Sequence, residues 1–307
     1  METSFKSTVE LKRYYNTEER CKALLAQQRW NGNVVCPHCG HGKVYVTNRG
    51  YKCASKECYK KFSVISGTIF ENTKIKLTLW FEAIAVLSAH KKGISSHQLG
   101  RDLGVSQKTA WFILHRVREM LKEKNPTLLS GTNAIDETFI GGSLKNKHKA
   151  VRYEKVERRG RAFKNKSMVA GILNENGTVV NKVIPNTSVQ VLKTFMVENV
   201  VLGSTMVSDA WQSYIYATKG YTHVVVDHTK DEYVKNGFTT NGLEGYWSQL
   251  KRGIYGIYHQ VSPTHLGRYC DEFAFRYNTR KQKDTERFFS ILKATSGRLS
   301  WNQLTGK

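Results

Sequence analysis

Acidic side chains in apolar segments raise the first question, because the chain is otherwise strongly basic. Asp136 sits within Ala134-Ile-Asp-Glu-Thr-Phe-Ile140, a run that alternates as a strand does. Asp209 ends Met206-Val-Ser-Asp, a short buried type of strand, and Glu244 lies in Asn241-Gly-Leu-Glu-Gly-Tyr-Trp247, which reads as a helix. Two strand-borne aspartates and one helix-borne glutamate can converge on a pair of Mg²⁺ ions, with Mn²⁺ as a substitute, since hard cations choose carboxylate oxygens. Two such ions about 3.5–4 Å apart clamp the attacking and leaving oxygens of an in-line phosphoryl transfer. Any one of these acids alone reads as a turn residue or an ion-pair partner; the set, in a basic chain, points to chemistry. Asn241 opens the same segment, and asparagine is a favoured helix N-cap. Lys251 lies two helical turns beyond Glu244 and, with Arg252, is expected to contact DNA phosphate.

A second constellation is made of cysteines. Cys36-Pro-His-Cys39 and Cys53-Ala-Ser-Lys-Glu-Cys58 are paired knuckles. Zn²⁺ takes four soft ligands at tetrahedral corners, and each knuckle supplies two. Between them Val44–Thr47, a turn at Asn48-Arg49-Gly50 and Tyr51-Lys52 read as strand, turn, strand, which brings the knuckles together as a zinc ribbon. The alternatives are two disulfides, which the expected intracellular location disfavours, or a redox pair, which leaves the second knuckle unexplained. His38 and His41 are spare donors, whereas Cys21 and Cys270 read as small buried residues.

These groups need elements to hold them. A short helix begins after the N-cap Thr17, the ribbon runs to about Phe62 or Ile65, and Leu77–Ala89 is an apolar-periodic helix. Ser95–Leu103, a turn at Gly104-Val105 and a helix capped by Ser106 then give a helix-turn-helix signature. Gln107, Lys108, Trp111 and His115 lie off the apolar stripe of the second helix and are the candidate DNA contacts. A helical hairpin that binds nothing is the bland alternative. Asn125-Pro126 marks a boundary. Beyond it come strands at 133–140, 167–173 and 178–184, a helix at 188–200, strands at 205–208 and 222–226, and helices at 241–252 and 265–277. Between the first two strands, residues 143–166 carry ten basic residues against two acidic ones, among them Arg158, Arg159 and Arg161. That insertion is a solvated loop or a clamp on the phosphate backbone, and its place beside the acids favours the clamp.

Composition agrees. Forty-eight Lys and Arg against 25 Asp and Glu give 307 residues a net charge of +23, which a polyanion relieves. No apolar run approaches the ~20 residues of a membrane span. No charged-then-apolar stretch opens the chain, so a cytoplasmic, DNA-associated protein is expected.

From the first helix to about Asn278 the sequence resembles the zinc-ribbon transposases of the insertion sequence 1595 family. The resemblance rests on Cys36-Pro-His-Cys39, the helix-turn-helix, Asp136-Glu-Thr-Phe-Ile-Gly-Gly142 and Ser208-Asp-Ala-Trp-Gln-Ser-Tyr214. It rests further on the block Asn241 to Arg252, Tyr258-His259, His265-Leu266 and Glu272-Phe-Ala-Phe-Arg-Tyr-Asn278. It implies a ribonuclease-H-like mixed-sheet core with an acidic triad, and cut-and-join chemistry on the ends of a mobile element. Asp136 and Asp209 are the first two ligands it implies; the third is Glu244 or Asn241, since members often have asparagine there, and Lys251 is the lysine that follows. The expected architecture is multidomain α/β. Residues 1–66 form the N-terminal helix and zinc ribbon, 67–126 the helix-turn-helix domain, and 127–307 the catalytic domain with its insertion. Double-stranded DNA, at element ends and target, and a second copy of the chain in a homodimer or higher oligomer are the expected partners. A regulator with a decayed core, or a nuclease of the same fold that cuts without joining, are the alternative readings.

Overall fold

The computed structural model describes residues 5–123, 126–142, 166–226 and 239–306. The basic insertion, with Arg158, Arg159 and Arg161, lies outside the described residues apart from Lys166. The chain forms two compact units, one of residues 1–122 with 281–307 and one of residues 123–280. The segment 281–306, expected in the catalytic domain, therefore belongs to the first unit, which also joins the ribbon to the helix-turn-helix.

In the first unit α1 (Thr8–Tyr14) and α2 (Glu18–Trp30) precede the ribbon, and Thr17 caps α2 through Arg20 N at 3.3 Å, as expected. The ribbon is an antiparallel sheet of β1 (Val44–Thr47), β2 (Gly50–Cys53) and β3 (Lys61–Phe62). Gly50 turns the first hairpin at φ 133°, and a Cβ there would meet Phe62 O at 2.6 Å, so this turn requires glycine. The apolar helix α3 (Leu77–Ala89) buries most of its length. Then α4 (Ser96–Leu103) and α5 (Gln107–Leu121) form the helix-turn-helix. Ser95 and Ser106 accept from Gln98 N and Thr109 N at 3.1 and 3.2 Å, and Gly104 makes the turn at φ 65°.

The second unit is built on a five-stranded sheet. β4 (Thr132–Ile140), β5 (Ser167–Asn174) and β6 (Val179–Ile184) form an antiparallel meander. After α6 (Val189–Asn199), β7 (Thr205–Ser208) pairs parallel to β4. After α7 (Gln212–Ala217), β8 (Thr222–Val225) pairs parallel to β7. The order β6-β5-β4-β7-β8 is the mixed sheet of a ribonuclease-H-like core. Alternation decides which helix lies on which face. Ile135, Ala170 and Ile172 face Leu192, Phe195 and Tyr214 of α6 and α7. Ile140, Val169 and Val179 face the other way, against α8 (Asn241–Gly253) and α9 (Pro263–Asn278). Each large apolar side chain so buried contributes about 1.5–3 kcal/mol.

The chain then returns to the first unit through α10 (Asp284–Lys293) and α11 (Trp301–Thr305). Phe288 of α10 packs edge-on against Phe81 at 5.7 Å, and Arg287 Nη1 donates to Ser88 O at 2.8 Å. Ile69 N donates to Thr295 O at 2.9 Å. No helix among the described residues is long and apolar enough to cross a membrane.

Candidate active site and metal centre

The ribbon brings its four cysteine sulfurs together. Val44 pairs with Cys53, which places the second knuckle beside the first. Cys36 Sγ lies 3.8 Å from Cys58 Sγ, Cys39 Sγ lies 3.5 Å from Cys53 Sγ, and all four sulfurs are within 4.8 Å of one another. A tetrahedral ion with Zn–S bonds of about 2.3 Å sets its sulfurs about 3.8 Å apart, so the donor set fits one zinc. None of the four is in a disulfide, which removes that alternative, and His38 and His41 are not part of the cluster. The knuckle turns are closed by Gly40 N to Cys36 O at 2.8 Å and Cys53 N to Lys60 O at 3.0 Å. Cys21 and Cys270 are buried, as expected.

The acids are positioned by the sheet. β4 and β7 run parallel with Ala134 opposite Val207; Asp136 lies two residues further along β4, and Asp209 directly follows the end of β7 at Ser208. Trp247 Nε1 on α8 donates to Asp136 Oδ2 at 2.9 Å. That contact depends on Gly171, the residue opposite Asp136 on β5. A Cβ on Gly171 would meet the Trp247 ring at 2.5 Å, so glycine is what lets the indole lie over the strand. Gly171→Ala should therefore cost about 1–3 kcal/mol by overpacking, more than any gain in strand propensity. Thermal unfolding checks this, and a wild-type melting temperature would contradict it.

Burial, with Glu137 as neighbour, raises the Asp136 carboxyl to about 7, against the indole N–H that favours its charged form. Glu137 is raised too, first by burial. It points to the opposite face of the sheet, where the Tyr214 hydroxyl donates to its Oε2. Asp209 Oδ1 accepts from Trp211 N at 3.1 Å, which shapes the turn into α7. A desolvated carboxyl with a second carboxylate near it suits a divalent cation. Asn241 and Glu244 are exposed in the first turn of α8. The N-cap position is Thr240, so the capping role considered for Asn241 is not what it does; it is the first helical residue. Among the described residues, only the cysteines bring three or more His, Cys, Asp or Glu ligand atoms together, so Glu244 does not converge with the two aspartates to that degree.

Two family models match this chain: a transposase zinc-ribbon domain over residues 16–61 and an ISXO2-like transposase domain over residues 128–278. The chain belongs to the insertion sequence 1595 family of transposases. It is 27% identical over 289 residues to an uncharacterized protein in transposable element ISH50 of Halobacterium salinarum, covering 90% of this chain and 96% of that one. It also aligns, at 12% identity, with 96% of its own length and 98% of a chain in the crystal structure of a pre-cleavage Mos1 transpososome. The TM-score there is 0.21, too low to bear on the fold.

The transposase-domain match ends at residue 278, close to the boundary of the second unit at Arg280, and neither match reaches residues 281–307. That C-terminal segment corrects one expected DNA contact. Gln107 and Lys108 are exposed in the first turn of α5, but His115 is fully buried, its ring 4.4 Å from Trp111. Trp111 is itself half-buried, 6.0 Å from Trp301. Trp301 of α11 packs against Trp111 and Phe112, and His115, buried beside Trp111, is an interior residue. Lys251 is half-buried and Arg252 exposed on α8. With Ser248 and Tyr255 they line one shallow groove. The residues that sequence reasoning left without a role are Trp247, Gly171, Glu137 and Tyr214. A glycine inside the apolar run Met168–Leu173 was a signal of close approach.

Proposed function

We propose that this transposase binds the terminal inverted repeats of its insertion sequence and carries out metal-dependent strand cleavage and strand transfer. The observation that carries the reading is the placement of Asp136 on β4 and of Asp209 just past the end of the parallel neighbouring strand β7, with Asp136 held by Trp247. Asp136, Asp209 and a third donor on α8, Glu244 before Asn241, would hold two Mg²⁺ ions. Bound there, the ions would activate water to free a 3′-OH and stabilise the charge that develops on phosphate. The protein's own part is positioning. Trp247 fixes the Asp136 carboxylate, Lys251 and Arg252 contact the DNA backbone, and the burial of Asp136 strengthens every charge interaction around it. The zinc ribbon and the N-terminal turn of α5, Gln107 and Lys108, read the element ends. Arg158, Arg159 and Arg161 clamp phosphate, and a homodimer pairs two ends. The net charge of +23 is the footprint of DNA binding by a protein that acts in the cytoplasm.

Incubation of the full chain with a labelled element-end duplex, target plasmid and Mg²⁺ tests this. Free 3′-OH ends and joined products are expected. Cut ends that never join would mean a nuclease, and binding without products a regulator. The third donor has its own test. Glu244→Gln should slow cleavage by about 100-fold, or about 2.7 kcal/mol at 1.36 kcal/mol per tenfold, in Mg²⁺ and in Mn²⁺. Asn241→Ala should cleave near the wild-type rate. The reverse pattern in folded protein would make Asn241 the ligand.

A further inference from the structure

The exposed side of α5 opposite its core stripe is covered by residues that neither recognised domain includes. Trp301 packs 5.4 Å from the Phe112 ring and 6.0 Å from Trp111. Arg116 Nε donates to Leu299 O at 2.9 Å, and its guanidinium lies 4.5 Å over Phe112. Leu299 and Leu304 are 4% and 2% exposed, and Arg116 is 6% exposed. A cap that opened would have to expose these apolar groups and orphan a buried guanidinium, so the contact is permanent structure. At the open end of the same stripe, Lys108 Nζ stands 4.8 Å over the Trp301 ring. The ring face restrains an ammonium that would otherwise sweep freely, and does so without neutralising it. Lys108 thus stands at the N-terminal turn of the helix that would enter the groove.

We infer that the C-terminal segment Leu299–Thr305 is a third element of the DNA-reading module, with Trp301 as a positioning residue that holds Lys108 for contact with a phosphate of duplex DNA. The inference rests on the proposed reading of this chain as a binder of element ends. Its test is the salt dependence of binding by the full chain, measured by anisotropy with a labelled terminal-repeat duplex and with a duplex of scrambled order. Each phosphate contact adds about 0.9 to the slope of log K against log salt. Trp301→Leu keeps apolar bulk and lacks the ring face, so it should lower that slope by about 0.9 on both duplexes. Trp301→Phe should keep the wild-type slope. Lys108→Ala should match Trp301→Leu, and the double variant should lose no more than either single one, because both remove the same contact. Zinc content and circular dichroism confirm that each variant is folded. A wild-type slope in folded Trp301→Leu, or tighter binding than wild type, would overturn the inference while leaving end binding by the parent intact. Absence of salt-dependent binding in the wild type would overturn the underlying reading instead.

Discussion

Asp136→Ala should abolish strand cleavage and strand transfer together while element-end binding persists. The expected loss is about 1,000-fold or more, which is about 4 kcal/mol of transition-state stabilisation at 1.36 kcal/mol per tenfold. The two activities should fall together because both are proposed to proceed through the same pair of aspartates, Asp136 on β4 and Asp209 just past the end of β7. Binding should persist because the proposed reading elements, the ribbon and the first turn of α5, lie in the other compact unit. A fold defect would be the trivial explanation of a dead variant, and here it has a distinct signature. Asp136 is a half-buried residue beside Glu137 and Asp209, and its carboxyl is raised to about 7 by desolvation and by those neighbours. Deleting its charge relieves repulsion in the metal-free protein, so metal-free Asp136→Asn should melt no lower than wild type. Cleavage by Asp136→Asn at near the wild-type rate would remove Asp136 from the chemistry. Loss of end binding alongside loss of cleavage would mean that the core, and not the first unit, provides the affinity.

How far this was legible in the residues depends on the range of the physics involved. The caps Thr17, Ser95 and Ser106, the hairpin Val44–Lys52 and the strand at Thr205–Ser208 appear where local pattern puts them, because each is decided within about one turn of chain. The nearness of Asp136 to Asp209 follows from the parallel pairing of β4 with β7 once the order of the sheet is known. What was not legible is long-range. The stripe Lys108, Trp111, His115 looks solvent-facing on a helical wheel, whereas tertiary packing buries His115 completely and sets Trp111 against Trp301. Nothing local in residues 281–306 says which unit they join; Phe288 against Phe81 and Thr295 against Ile69 decide it. The Trp247–Asp136 contact spans 111 positions and needs Gly171 on a third element. Asparagine's preference for the N-cap misled in a smaller way, since α8 begins one residue earlier than that preference suggests, after Thr240.

Cys36→Ser should empty the ribbon of zinc and unfold it. The ribbon has little else to hold it. Its sheet has strands of four, four and two residues, and its apolar contacts are chiefly Trp30, Tyr51 and Phe62, with Trp30–Tyr51 at 5.3 Å and Tyr51–Phe62 stacked at 5.5 Å. Three aromatics are a small apolar cluster for a segment of this length, and in modules of this kind the binding free energy of a structural zinc is folding free energy. Serine cannot replace a thiolate on Zn²⁺, and Cys36 is buried, so water cannot complete the site without opening the knuckle. Three measurements check the outcome. Zinc per chain should fall from one to near zero in the variant. Limited proteolysis should cut between residues 36 and 62. Thermal unfolding should retain the transition of the second unit, which is compact in its own right. Element-end binding should weaken with the ribbon, whereas any residual salt-sensitive binding to unrelated duplex should remain. Full zinc occupancy in Cys36→Ser, or no zinc in wild type purified without chelator, would show that the four converging sulfurs are not a zinc site.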